Sequence, residues 1–229
     1  MPASGGKRLA VVLAFATTVV AAGCGSGADR TAERCVTDDG TGSNPDLATV
    51  SSTEARRLTV AEVLRRDERF TQFRKLAGMT ATQVAVSFLE IWDHPTDRPG
   101  NRVWVTVFVP TDTAFAALDP RIRTAFEHGQ LDNLTRYTWL GHHTIHRPYP
   151  SKDFTEGLQG NWQPTGRGTW ENTTGPSGPV DVELTLDPLT YGGCPILQTD
   201  LRTANGYIHV IGGVVLTDDL RKLVPRPSG

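Results

Sequence analysis

The chain has 229 residues, with 23 Lys and Arg against 25 Asp and Glu, 38% hydrophobic and 21% charged residues, 23 Gly, 15 Pro and 3 Cys. These values exclude a collagen-like, wholly disordered or disulfide-dense polypeptide, and a net charge of -2 is not that of a nucleic-acid-binding domain. A mean hydropathy of -0.29 excludes a polytopic membrane protein, and the length admits one domain with appendages or two small domains. Of the basic residues 19 are Arg and 4 are Lys, scattered along the chain in the manner of a G+C-rich genome.

Residues 1–23 read as an export address. Lys7 and Arg8 precede an apolar run from Leu9 to Ala22, and Ala21, Ala22 and Gly23 lead directly into Cys24. A positive n-region, a short apolar h-region and small residues at the cleavage point make a signal peptide. The run has 14 residues, whereas spanning a bilayer takes roughly 20. Small residues ending on a Cys resemble the bacterial lipobox, in which the thiol is acylated and the Cys becomes the first mature residue; an ordinary signal peptide with Cys24 as a bystander is the alternative. Two acyl chains, at about 0.8 kcal/mol per buried methylene, would anchor the chain permanently. The expected location is the extracytoplasmic face of the cell membrane, with the membrane itself a partner through Cys24. The mature chain would keep 21 basic against 25 acidic residues, a charge of -4.

Setting Cys24 aside leaves Cys35 and Cys194, one pair outside the cytoplasm, where disulfides persist; they are expected to be bonded. The competing reading, a nucleophilic Cys194 within Gly192-Gly193-Cys194-Pro195, lacks any activating group nearby in the sequence.

Residues 24–57 are Gly, Ser, Thr, Asp and Ala with hardly any large apolar side chain, the composition of a flexible tether. At Thr59 the Thr-x-x-Glu spacing predicts a capping box opening a helix with Val60, Val63 and Leu64 on one face. Phe70, Phe73 and Leu76 continue an amphipathic pattern that stops at Gly78, and residues 82–92 fit strand or helix equally. Val103 to Val109 reads as a buried strand, ending at Pro110. Thr111 or Asp112 is the natural N-cap of a helix carrying Ala114, Phe115 and Leu118. Arg121 to His128 predicts another helix stopped by Gly129, and Asp132 to Leu140 a third, with Leu134 and Tyr137 on one face. Gly157 to Gly178 predicts a long loop or irregular hairpin. Val180, Val182, Leu184 and Leu186 alternate with polar residues as in a half-buried strand, and Asn205-Gly206 between two strand-like runs signals a hairpin, since both turn residues tolerate positive φ. Blocks of helices and strands without regular βα alternation predict an α+β domain over residues 58–223, with 224–229 a tail.

Two segments together resemble the signature regions of the fasciclin-like (FAS1) domain: Thr106 to Phe115, TVFVPTDTAF, and Asn205 to Leu216, NGYIHVIGGVVL. The similarity covers roughly Leu58 to Leu223. It implies a wedge of two small β-sheets with several helices packed along one side. It implies a role in extracellular adhesion or protein contact, and exported bacterial relatives include secreted antigens and lipoproteins, many of actinobacterial origin. Aligning Ser151-Lys152-Asp153-Phe154 with the family's pattern places His142-His143 on its Tyr-His motif and Asp200-Leu201 on the Asp-Ile pair implicated in integrin binding by animal members. Gly212 stands where an acidic residue is common, and Thr217 where Pro is.

The candidate chemistry is sparse. His142, His143 and His146 form the one histidine cluster, but no Glu accompanies them and Arg147-Pro148 follows, so no metal or other cofactor is expected. A buried His143 bonded to Asp112 or to a backbone group is preferred, and His209 in an alternating strand is read as structural. No Gly-x-Ser-x-Gly, Walker loop or dinucleotide fingerprint occurs, and an enzyme is not expected. Trp162 and Trp170, in the Gly-rich segment, could meet a protein or glycan or fold back on the domain. The leading expectation is a lipid-anchored domain that binds a protein or glycan partner at the cell surface, and no nucleic acid. The alternatives are a carrier of a hydrophobic or sugar ligand and, behind it, a hydrolase using His142, His143 and His146.

Overall fold

The computed structural model describes residues 35–37, 48–80, 87–93, 104–154, 157–160, 162–164, 170–172, 174–175, 178–179 and 181–222. The export segment with Cys24 and the C-terminal tail lie outside the described residues.

Strand β1 (Cys35–Thr37) comes first, followed by helix α1 (Ser52–Ala55), whose N-cap Ser51 accepts from the Glu54 amide at 3.2 Å. Both fall in the stretch expected to be a tether, and Val50 and Ala55 are buried. Polar bonds, invisible to a composition argument, hold this segment. The Val50 amide donates to Asp67 Oδ2 (3.1 Å) and the Ala48 amide to Glu68 Oε2 (3.1 Å). Asp67 is fully buried and also pairs with Arg69 at 2.8 Å, and Arg69 reaches Gln198 Oε1 at 3.2 Å.

The capping box at Thr59 forms as the spacing predicts. Thr59 Oγ1 accepts from the Glu62 amide (3.1 Å), Glu62 Oε2 accepts from the Thr59 amide (2.8 Å), and α2 (Val60–Arg66) begins. Helix α3 (Thr71–Gly78) has no cap of its own. Asp112 supplies it from forty residues on, accepting from the Thr71 (3.1 Å) and Gln72 (2.8 Å) amides. The ambiguous stretch before Asp93 is helical where it is described, as α4 (Phe88–Asp93).

Strand β2 (Val105–Pro110) ends at Thr111, whose hydroxyl caps α5 (Asp112–Ala116). Next come α6 (Pro120–Glu127), stopped by Gly129 at φ +64°, and α7 (Asn133–His142). The buried face of α7 carries Arg136, Trp139, Leu140 and Gly141, while Leu134 is 40% exposed rather than sharing an apolar face with Tyr137. Strand β3 (Thr144–Ile145) follows, then β4 (Gly157–Gly160). Two short ladders fill the Gly-rich segment: β5 (Trp162–Pro164) with β6 (Trp170–Asn172), and β7 (Thr174–Gly175) with β8 (Gly178–Pro179). The chain closes with β9 (Asp181–Leu186), β10 (Leu189–Tyr191), β11 (Cys194–Arg202), β12 (Gly206–Ile211), β13 (Gly213–Val215) and α8 (Asp218–Arg221).

Seven strands form one mixed sheet in the order β3-β2-β12-β11-β10-β9-β4. Only β2 and β12 run parallel, in register from Val105↔Gly206 to Pro110↔Ile211. The two halves implied by the family resemblance are continuous through β11, whose register against β12 shifts twice between Ile196 and Leu201. Such irregularities bend a strand, and the sheet curls over itself. Its central strands are therefore buried on both faces. Val105, Val107 and Val109 of β2 and Ile208 and Val210 of β12 pack with Phe73, Trp92 and Trp139 on the helical side. Phe108 and Ile211 turn the other way, into a second core with Val182, Leu184 and Tyr191. There the Phe108 and Tyr191 rings stack with centroids 3.6 Å apart and planes within 4°.

The Asn205-Gly206 pair makes the expected hairpin by unexpected means. Neither residue has positive φ; the turn closes by the Thr203 amide donating to the Gly206 carbonyl at 2.9 Å. Asn205 is buried instead. Its Oδ1 accepts from the Val60 amide (2.9 Å), its Nδ2 donates to the Trp92 carbonyl (2.7 Å), and its own carbonyl accepts from Val105 (3.1 Å). Gly206 is required for space: a Cβ there would lie 1.7 Å from the Val105 carbonyl oxygen. Asn205→Ala strands the Val60 amide and the Trp92 carbonyl, and urea unfolding should show a loss of about 3 kcal/mol.

A covalent clasp completes the fold. Cys35 and Cys194 are disulfide-bonded across a sequence separation of 159, and β1 pairs with β13. On the chain-entropy account a loop of this length contributes up to about 5 kcal/mol. Replacing both cysteines by Ala should lower the unfolding free energy by no more than that, read from the same urea titration.

Candidate binding surface

After β3 the chain turns across the open end of the sheet, and a set of polar side chains holds it there. Thr106 Oγ1 donates to the Arg147 carbonyl (2.9 Å) and accepts from the Tyr149 amide (2.9 Å). Tyr149 is buried beneath the Arg147 guanidinium, 4.7 Å from its ring centroid. The Tyr149 carbonyl accepts from His209 Nε2 (2.9 Å), and His209 Nδ1 accepts from the Asp200 amide (3.2 Å). An amide can only donate and a carbonyl only accept, so the neutral tautomer of His209 is fixed with its proton on Nε2. The Asp200 carboxylate, in a residue at φ +58°, accepts from the Ser151 amide (2.8 Å) and from the Ser151 hydroxyl.

A Ser, an Asp and a His thus meet, but in the wrong order for acyl transfer. Ser151 faces the carboxylate, and the one lone pair of the imidazole is occupied by a backbone amide. Burial holds the His209 pKa down, partly offset by the Tyr149 carbonyl and the Asp200 charge. The arrangement binds the 147–154 segment to the sheet.

The histidine cluster separates. His143, fully buried, packs at inclined angles against Trp139 (4.3 Å) and Phe73 (5.8 Å), with Nδ1 donating to the Trp139 carbonyl at 2.9 Å. Asp112, the other partner considered for His143, is occupied with α3. His142 ends α7 half-buried, and its carbonyl accepts from the Tyr191 hydroxyl at 2.6 Å, tying the two halves of the sheet together. His146 is half-buried. Among the described residues no group of three or more His, Cys, Asp or Glu could hold a metal ion, and no helix is long and apolar enough to cross a membrane.

The fasciclin domain model matches residues 68–217, well over half of the sequence. The chain belongs to the fasciclin family. Fasciclin domains are typically adhesion or protein-binding modules and are generally non-catalytic. Among solved structures, a FAS1 domain pair from the insect cell adhesion molecule fasciclin I matches at 14% identity and a TM-score of 0.49, over 72% of this chain and 53% of that one. The chain thus spans about half the length of that protein. No curated protein matches the chain.

Within this fasciclin domain the residues aligned with contact motifs are placed unevenly. Leu201 is 1% exposed in the helix-side core, so it is not a surface contact, and the adjacent Asp200 is occupied with Ser151. A ligand carrier would need room between the halves of the sheet, where the Phe108–Tyr191 stack lies. Trp162 and Trp170 open the two strands of the β5–β6 ladder, Trp162 opposite Asn172 and Trp170 opposite Pro164, and their side chains lie outside the described residues. Sequence reasoning missed Tyr191, Arg147 and Tyr207. The family-aligned Ser151 segment was the available signal that something at this end is held in place.

Burial lowers the pKa of both His143 and His146 to about 4. The unfolded chain takes up these protons from about pH 6.5 downward, and the native state does not until about pH 4. Stability is therefore present above pH 6.5 and lost as the pH falls toward 4, by up to about 1.4 kcal/mol per pH unit for each histidine. Urea midpoints should drop between pH 7 and pH 5, and His143→Phe should flatten that drop whatever its effect at pH 7.

Proposed function

We propose that the chain is exported, acylated on Cys24 and displayed at the outer face of the cell membrane, where its fasciclin domain binds a protein or glycan partner without catalysis. The observation that carries this reading is the Cys35–Cys194 bond, which spans nearly the whole domain and belongs to a compartment where thiols stay oxidised. The lipobox-like run into Cys24 supplies the anchor, and family membership supplies contact as the mode of action. Further support comes from the polar groups. Asp200, His143 and His209 each hold backbone groups and the Ser151 hydroxyl is bonded to the Asp200 carboxylate, which leaves none of them poised to react.

Growth with a radiolabelled fatty acid tests the anchor. The wild-type chain should carry label in the membrane fraction and Cys24→Ser should carry none. Label retained by Cys24→Ser, or absent from the wild type, overturns it.

A further inference from the structure

We infer that the end of the sheet at the β11–β12 turn is a binding site for an anionic glycan, with Tyr207 as a stacking platform between the guanidinium groups of Arg147 and Arg202. The inference rests on the reading that the domain works by contact, and adds the surface and the chemistry of the partner.

Strand register places the three residues. Arg202 and Tyr207 are directly opposed across β11 and β12, and Tyr207 lies beside Thr106 of β2. Their neighbours Leu201 and Ile208 point into the helix-side core, so Arg202 and Tyr207 share the other face. The Tyr207 ring is half-buried and parallel to that of His209, at 6.5 Å and within 5°. On its far side Thr106 bonds the Arg147 carbonyl, and Arg147 lies over the Tyr149 ring. Tyr207 thus sits between strand neighbours that carry Arg202 on one side and, through Thr106, the Arg147 backbone on the other.

Among the described residues neither guanidinium has an acidic partner. The salt bridges among the described residues use Arg65, Arg66 and Arg69, whereas Arg147 and Arg202 are exposed and in none. The Ala204 amide donates to the Leu58 carbonyl at 2.8 Å, which brings the exposed Arg56 and Arg57 to the same end. The described acids at this end are each engaged or beside a cation: Asp200 bonds Ser151, Asp153 sits next to Lys152, Glu62 caps α2 at Thr59, Asp93 pairs with Arg65 and Glu54 with Arg66. This excess of positive charge lies on a chain whose net charge is -2.

Planar guanidinium forks suit carboxylate, sulfate or phosphate oxygens, and a flat ring held at half exposure suits the apolar face of a sugar. A polymer that alternates rings with acid groups satisfies both. A lipid surface fits less well, because the exposed large hydrophobic residues among those described, Leu134, Leu186 and Leu197, are not in this row.

The full-length protein, purified in detergent, is titrated against immobilised polygalacturonate, dextran sulfate and unsubstituted dextran. Binding to polygalacturonate or dextran sulfate, weakened by salt, is expected, with none to plain dextran; the tighter of the two identifies the acid group. Arg147→Gln and Arg202→Gln should each weaken binding about tenfold, as the loss of one charge-assisted hydrogen bond implies. Tyr207→Leu, which fills the same position without a flat ring, should also lose about tenfold, while Tyr207→Phe stays near wild type. Arg121→Gln, an equal charge change on α6, should bind as wild type. The proposal is overturned if neither acidic polymer binds, if plain dextran binds equally, if polyglutamate or phosphatidylglycerol vesicles bind as tightly as the acidic polymers, or if Arg121→Gln weakens binding as much as Arg202→Gln. Its failure would leave the acylation result at Cys24 standing, so the two readings fail separately.

Discussion

The side chain of Asn205 is the point at which distant parts of the chain meet, and the geometry of the sheet depends on it. It joins the first amide of α2 to the last turn of α4, while its backbone receives the first residue of β2. Parallel strands cannot be aligned by a tight turn, because a long crossover separates them. Here the crossover contains α5 to α7 and most of the sheet. A fixed bond at the start of the β2–β12 ladder therefore sets its register, and a slip of one residue would exchange Val107 and Phe108 between the two cores. Gly206 allows the approach that this bond requires, since any side chain there would meet the Val105 carbonyl.

Much of the architecture was legible because its signals are local. The Thr59 box, the Thr111 cap and the Gly129 stop each act over a few residues, and each is found where the sequence predicts. The Asn-Gly pair was located correctly and explained wrongly. The expected explanation, positive φ, is local, whereas the actual one joins Asn205 to Val60 across 145 residues. The same limit hid the roles of Asp112, which caps a helix 40 residues earlier, and of Asp67, which secures a segment that composition alone assigns to a tether. Leu201 shows the converse. Its alignment with a contact motif is clear, but the register shifts in β11 decide which way it faces, and no periodicity reports them.

The candidate surface follows the same division. Histidines and a serine draw attention in a sequence because they can carry chemistry, yet here His143 and His209 hold backbone in place and Ser151 is bonded through its amide and hydroxyl to Asp200. Arg147, Arg202 and Tyr207 attract none, being unremarkable among 19 arginines and 4 tyrosines; strand pairing sets Arg202 opposite Tyr207, and the Thr106 hydroxyl ties the Arg147 backbone to the strand beside them. The clasp has a geometric effect of its own on the proposed anchor. With Cys35 fixed to the sheet, ten residues lie between it and Cys24, and fully extended this stretch reaches about 40 Å. An anchor at Cys24, as proposed, would hold the domain within that distance of the membrane.

The parallel pair at the centre of the sheet bears on the order in which the molecule can be made. The two strands are about a hundred residues apart in the chain, so the first emerges from a ribosome or a translocation pore long before the second. During that interval β3 can pair with one edge of β2, but the edge that β12 will occupy stays open. If the chain is exported as proposed, the central pair cannot close until nearly all of the chain has passed through the pore, and the open edge of its middle strand is exposed to other strands until then.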